Sequence, residues 1–135
     1  MNEPAQKLFA TNILASLATT DTDGSPRSTP LHVVSDGEAV YWFSPSDKVH
    51  SENIARDPRV SLSLFSPDES EGLQGVYLRG SAEIVDAADR ARVIDVYTTR
   101  AGHFPPPFAE WTAYRLEVGA LDEQKSTGNC WYFYS

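Results

Sequence analysis

Apolar residues recur at every second position in four stretches of the chain, and each predicts a strand with one core face. Ile13, Ala15 and Leu17 lead into Thr19. Val60, Leu62 and Leu64 alternate with Ser61 and Ser63. Val76, Leu78, Gly80, Ala82 and Ile84 form a small apolar face, and Tyr114, Leu116, Val118 and Ala120 form another. Arg27–Val34, Ala39–Ser44 and an aromatic run from Cys130 to Tyr134 read as three further strands. Asp21-Thr22-Asp23-Gly24-Ser25-Pro26 and Ser35-Asp36-Gly37 are dense turn chemistry. They predict that the first three strands form an antiparallel meander joined by short hairpins.

Helical spacing appears three times. Residues 3–12 predict a short helix with Leu8 and Phe9 as its apolar contacts. Lys48 to Arg56 predicts a second, stopped by Asp57-Pro58 because proline disfavours the helical region for the residue before it. Asp86 stands where an N-cap belongs, and Ala87, Ala91, Ile94 and Tyr97 follow at helical spacing to about Thr99. Ser66 to Gly75 is a polar loop, and Pro105-Pro106-Pro107 a stiff one. The expectation is a mainly β (α+β) fold of six or seven antiparallel strands with two or three short helices. Closing such a sheet into a barrel, or a partly split one, removes exposed edges.

Composition narrows the function classes. The 135 residues suit one domain spanning 1–135, with 41% hydrophobic residues to fill a core. Eleven lysines and arginines against 19 acids give a net charge of −8, which argues against nucleic acid or an anionic membrane as partner. A small local anion site remains open. Cys130 is the single cysteine, which excludes an intrachain disulfide and a cysteine-rich zinc site; a reduced, cytoplasmic setting is expected. The N-terminal sequence lacks a basic segment and a long apolar run, so neither a signal peptide nor a membrane helix is expected.

Few residues carry recognisable chemistry. In Phe43-Ser44-Pro45-Ser46-Asp47-Lys48 a strand ends, hydroxyls follow and a lysine opens a helix. Free N–H groups at a helix N-terminus attract anions, and Ser44, Ser46 and Lys48 add donors and charge. The same residues also suit an ordinary Ser/Asp cap beside a solvated lysine, and the charge of Asp47 opposes an anion. Pro30, inside Arg27-Ser28-Thr29-Pro30-Leu31-His32, removes a ladder donor, so that strand is an edge or is interrupted. His32, His50 and His103 have no metal-ligand spacing, and no metal site is expected. Asp21-Thr22-Asp23-Gly24 echoes a calcium loop but lacks its closing glutamate, leaving a hairpin turn. Nucleophile-elbow, P-loop and dinucleotide motifs are absent. Cys130 beside Trp131 reads as core. Trp42, Trp111 and Trp131 read as core or interface anchors, any of which could cover a planar ring.

The order Val40-Tyr41-Trp42-Phe43-Ser44, Lys48, Asn53-Ile54, Asp57-Pro58-Arg59-Val60-Ser61-Leu62, followed by Val76-Tyr77-Leu78-Arg79-Gly80-Ser81-Ala82-Glu83, resembles the pyridoxamine 5′-phosphate oxidase-like family, the FMN-binding split β-barrels. The resemblance runs from about Leu14 to Tyr97 and more weakly through the last strands. It implies a six- to seven-stranded split barrel and a homodimer with cofactor sites at the interface. It places Arg27, Thr29, Leu31 and His32 on a strand beside the flavin, His32 standing where relatives carry lysine. Phe43 and Ser44 end the next strand, with Ser44 and Lys48 on the phosphate. Asp47 replaces an arginine or serine, and Gln74 or Gly75 falls near a glutamine that contacts the flavin. The ending Asn129-Cys130-Trp131-Tyr132-Phe133-Tyr134-Ser135 lacks the C-terminal arginines that grip pyridoxamine phosphate, which argues against that substrate.

The resemblance thus implies an FMN-dependent oxidoreductase acting on a small-molecule substrate or electron acceptor, with no assigned catalytic side chain. Three alternatives remain open: a non-catalytic module for flavin, deazaflavin F420 or haem, serving as carrier or sensor; F420 or haem in place of FMN; and a structural dimer with no cofactor.

Overall fold

A computed structural model of the chain describes residues 1–101 and 105–135. Helix α1 (Glu3–Thr11) starts where the Asn2 side chain accepts the Ala5 N–H at 3.2 Å. It buries Ala5, Leu8 and Phe9. Strand β1 (Leu14–Thr20) turns back through Asp21–Ser25 into β2 (Pro26–His32), in a register running from Leu14 opposite His32 to Thr20 opposite Pro26. Gly24 takes a φ of +86° in that turn, a conformation that glycine adopts without cost. The calcium-like stretch is therefore a hairpin.

The expected strand Arg27–Val34 breaks at Val33. β2 pairs with β1, whereas β3 (Val34–Ser35) pairs with β4 (Ala39–Ser44). The three early strands are not one continuous meander. With β5 (Arg59–Phe65), β6 (Gly75–Ile84) and β7 (Thr112–Glu117), the sheet order is β2-β1-β5-β6-β7-β4-β3. Its two ends, β2 and β3, are joined in the chain by Val33 alone, so the sheet curls on itself as a half-barrel. Pro30, with no N–H to give, sits on the edge strand β2.

The split lies along β6. One edge of β6 meets β9 (Cys130–Tyr134) over Gly75–Arg79 and then β7 over Ala82–Ile84, and Gly80 sits at the fork. β9 runs parallel to β6, a pairing that alternation alone does not signal, and two-residue β8 (Ala120–Leu121) covers its other edge. A side chain on Gly119 would fall 1.8 Å from the Tyr134 carbonyl oxygen, so the approach to β8 has to be glycine.

Two apolar clusters flank the sheet. Leu17, Trp42, Leu62, Leu64, Val76, Leu78 and Leu116 fill the barrel, with α1 and Ile54 of α2 (Val49–Arg56) packed against it. Helix α3 (Arg90–Ala101) covers the opposite face, burying Val93 and Tyr97 against Tyr41 and Phe43. β4 is thus buried on both faces, which is why it reads as a continuous apolar run. Two details differ from the sequence pattern. Asp86 opens a turn, its carbonyl accepting the Asp89 N–H, and the helix begins at Arg90. Ala91 is exposed, since Val93, Tyr97 and Ala101 form the buried stripe. Alternation on β6 also lapses at its end, leaving Ile84 64% exposed while Val85 turns inward. No helix among the described residues is long and apolar enough to cross a membrane.

Candidate functional site

The two-sided burial of β4 carries through to its last residue. Ser44 is 6% exposed, and its Oγ lies 2.7 Å from His50 Nε2. Pro45 then turns the chain, and Lys48 takes the N-cap position of α2 without a capping bond from its side chain. An ammonium cannot accept the N–H bonds that a serine or aspartate cap would take. The ordinary capped-helix alternative is therefore not what forms. Burial first, and the Lys48 ammonium second, hold the His50 imidazole below its usual range, which favours its neutral form.

Ser44, Lys48 and His50 stand at a cavity of about 620 Å³, within the range of small-molecule and cofactor sites. Apart from His32, its remaining walls are mostly apolar: Leu14, Pro30 and Leu31 from β1 and β2, Phe43, Tyr97 of α3, Pro105–Pro107 and Trp111. Phe43 meets Tyr97 and Phe108 edge to face, with ring centroids 5.4 and 4.9 Å apart. Arg90 holds the proline segment in place by donating to the carbonyls of Phe108 and, at 2.8 Å, Trp111. No carboxylate lies among the described lining residues. Asp47 is exposed and not part of the wall.

Five of the sequence-derived candidates, Leu31, His32, Phe43, Ser44 and Lys48, line this cavity. Three lie elsewhere in the single chain. Arg27 donates from Nε to Asp21 Oδ1 at 2.8 Å in a separate polar hollow with Asn53 and Arg56. Thr29 is half-buried opposite Leu17. Gln74 precedes β6 in a third hollow with Lys7, Asn129 and Trp131. His103 lies outside the described residues. His50, Tyr97 and the triple proline were not singled out for this site. Only the position of His50, two residues beyond Lys48, offered a local signal. Cys130 is free and half-buried. Among the described residues no group of three His, Cys, Asp or Glu could hold a metal.

A further hollow, of about 450 Å³ and mostly apolar, adjoins the cavity and shares Leu14 and Pro30 with it. Leu14 and Phe65, which line it, are 59% and 60% exposed.

Fold and cavity together define a small split-barrel fold with a cavity at the end of β4. A family model described as pyridoxamine 5′-phosphate oxidase matches residues 1–124, and the chain belongs to that family. No curated protein matches it. Among solved structures it is similar to a heme binding protein from Mycobacterium smegmatis (TM-score 0.74, 23% identity, 87% of this chain and 50% of that one). It is similar to an F420 reductase (0.69, 23%, 89% and 97%) and to a FAD-binding protein from Mesorhizobium loti (0.70, 21%, 86% and 86%). The chain spans about half the length of the Mycobacterium protein.

Proposed function

We propose that the cavity binds flavin mononucleotide and that the protein is an FMN-dependent oxidoreductase. The observation that carries this reading is the composition of the wall. In a chain of net charge −8, the cavity offers an apolar and aromatic surface for a planar ring, with Lys48, Ser44 and His50 for a phosphate and no carboxylate. The residues present fit that group. Lys48 would neutralise the phosphate and Ser44 would donate to it, while Leu31, Phe43 and Trp111 would exclude water from the ring. When bound, the flavin supplies the hydride or electron chemistry, and the protein positions it. F420 carries a longer anionic tail, for which Lys48 is the single lysine or arginine among the described lining residues, so FMN suits the wall better.

A second copy of the chain would cover the apolar hollow beside the site, making the protein a homodimer. One alternative has its own support. His32 and His50 both line the cavity, and a neutral imidazole can ligate haem iron.

Titration of FMN into the purified protein, followed by flavin fluorescence, tests the assignment, with riboflavin as control. Saturable binding far tighter for FMN is expected; FMN no tighter than riboflavin would overturn it. Reduction of the bound flavin by NADH or NADPH, with reoxidation by an acceptor, is expected of the enzyme and not of a carrier.

A further inference from the structure

We infer that His50, through its Nε2–H bond to Ser44, holds the Ser44 hydroxyl as a donor toward a phosphate or sulfate group in this cavity, and strengthens that anion's binding when the imidazole becomes charged. This rests on the anion end assigned above and names what regulates it.

The argument is one of proton counting. A neutral imidazole carries one N–H, and a hydroxyl has one hydrogen to give. With Nε2 and Oγ 2.7 Å apart, one of the two groups must donate to the other. If the imidazole proton sits on Nδ1, Ser44 gives its hydrogen to Nε2 and turns only lone pairs toward an incoming anion. If it sits on Nε2, the imidazole donates and the Ser44 hydrogen is free for the ligand. A fully ionised anion can only accept, so its arrival selects the second arrangement. The charged imidazole keeps that donor and adds a positive charge.

The titratable groups lining the cavity with His50 are Lys48 ahead of the helix, His32 from β2 and Tyr97 from α3, while Asp47 on the preceding turn is exposed. On the far side of α2, Glu52 and Arg56 share the polar hollow with Asp21, Asp23 and Arg27 of the β1–β2 hairpin. Burial already disfavours the charged imidazole, so an anion that offsets this cost draws a proton onto His50.

Sulfate alone is the probe, since it does not titrate between pH 5.5 and 8.5, with chloride at matched ionic strength as control. Imidazole nitrogen NMR on the labelled protein reads both the tautomer and the binding. Sulfate is expected to bind about tenfold tighter at pH 5.5 than at pH 8.5, the worth of roughly 1.4 kcal/mol. The sulfate-bound neutral form is expected to carry its proton on Nε2. His50→Gln, whose amide cannot take up a proton, should bind sulfate no tighter at pH 5.5 than at pH 8.5. A gain that survives His50→Gln, an Nδ1–H tautomer in the bound form, or the absence of any gain would each overturn the proposal. Should FMN bind no tighter than riboflavin while these sulfate results hold, the flavin reading fails and this one stands.

Discussion

Replacing Lys48 by alanine probes the anion end of the cavity with little risk to the fold. The side chain is exposed, makes no ion pair among the described residues, and gives no capping bond to α2. Its contribution to binding is bounded from both sides. Two unit charges about 4 Å apart are worth about 1 kcal/mol in bulk water and about 4 kcal/mol at the dielectric of a protein surface. An exposed ammonium sits toward the watery end, but a phosphate carries more than one charge, and a charge-assisted bond contributes about 1.5–3 kcal/mol. The expected loss is about 1.5–2 kcal/mol, or roughly a 10- to 30-fold rise in the FMN dissociation constant. Riboflavin affinity should not change, and added salt should narrow the gap between parent and variant because an exposed pair is screened. Fluorescence titrations at two salt concentrations measure all of this. An FMN affinity within twofold of the parent, or an equal loss for riboflavin, would refute the assignment of Lys48 to the phosphate.

Other expected outcomes concern stability and assembly. Gly119→Ala should destabilise the protein by about 3 kcal/mol in urea unfolding, because the new Cβ meets backbone of β9 at 1.8 Å. Gly80→Ala should cost about 1 kcal/mol, since its closest contact is the Ser135 hydroxyl at the chain end. Acid should weaken the fold in two stages. His50 has a folded pKa below its unfolded one, so its contribution falls as the pH drops below about 6.5; His50→Gln should abolish that stage. Asp57, held near 2 chiefly by Arg59, and Asp21, lowered by Arg27 and Asn53, contribute fully above about pH 4 and are lost toward pH 2. For the homodimer, sedimentation should report twice the chain mass, and Phe65→Lys should shift it toward one; a parent that sediments as a monomer would count against the covered hollow.

What the sequence revealed follows the range of the forces involved. β4, the turn after it and α2 are set by neighbours within a few residues, and there the reading from Val40 to Lys48 placed Ser44 and Lys48 at one cavity. The wall of Trp111 and the prolines depends on Arg90 reaching across from α3, a contact between residues some 20 positions apart that no periodicity encodes. Arg27 shows a different limit. It shares a strand with His32, and the resemblance puts both beside one ligand. Yet the register sets Arg27 opposite Thr19 and His32 opposite Leu14, five residues away, or about 17 Å of extended chain. Within one chain the two cannot serve the same end of a small cavity. α3 starts four residues beyond Asp86 because Asp86 satisfies a turn as readily as a cap, and its buried stripe of Val93, Tyr97 and Ala101 shares one cluster with Tyr41 and Phe43 of β4.

The excess of acid argues against a broadly basic partner but leaves a small local anion site open, and the structure shows why it has little force at this cavity. Charges farther apart than about 8 Å are largely screened at physiological salt, so the local set matters more than the sum. Five of the 19 acids are closely paired with four arginines: Asp21 with Arg27, Asp57 with Arg59, Asp36 and Asp89 with Arg92, Glu83 with Arg115. Those pairs use the arginines of β2, β5, α3 and β7 away from the cavity wall. Lys48 is left with no carboxylate partner among the described residues, beside two histidines and a buried hydroxyl. An anion arriving there meets one ammonium and no carboxylate among the described lining residues, on a protein that is negative as a whole. That arrangement ties affinity to a few named groups, and it makes the single-residue changes at Lys48 and His50 decisive in a way that a broadly basic surface would not allow.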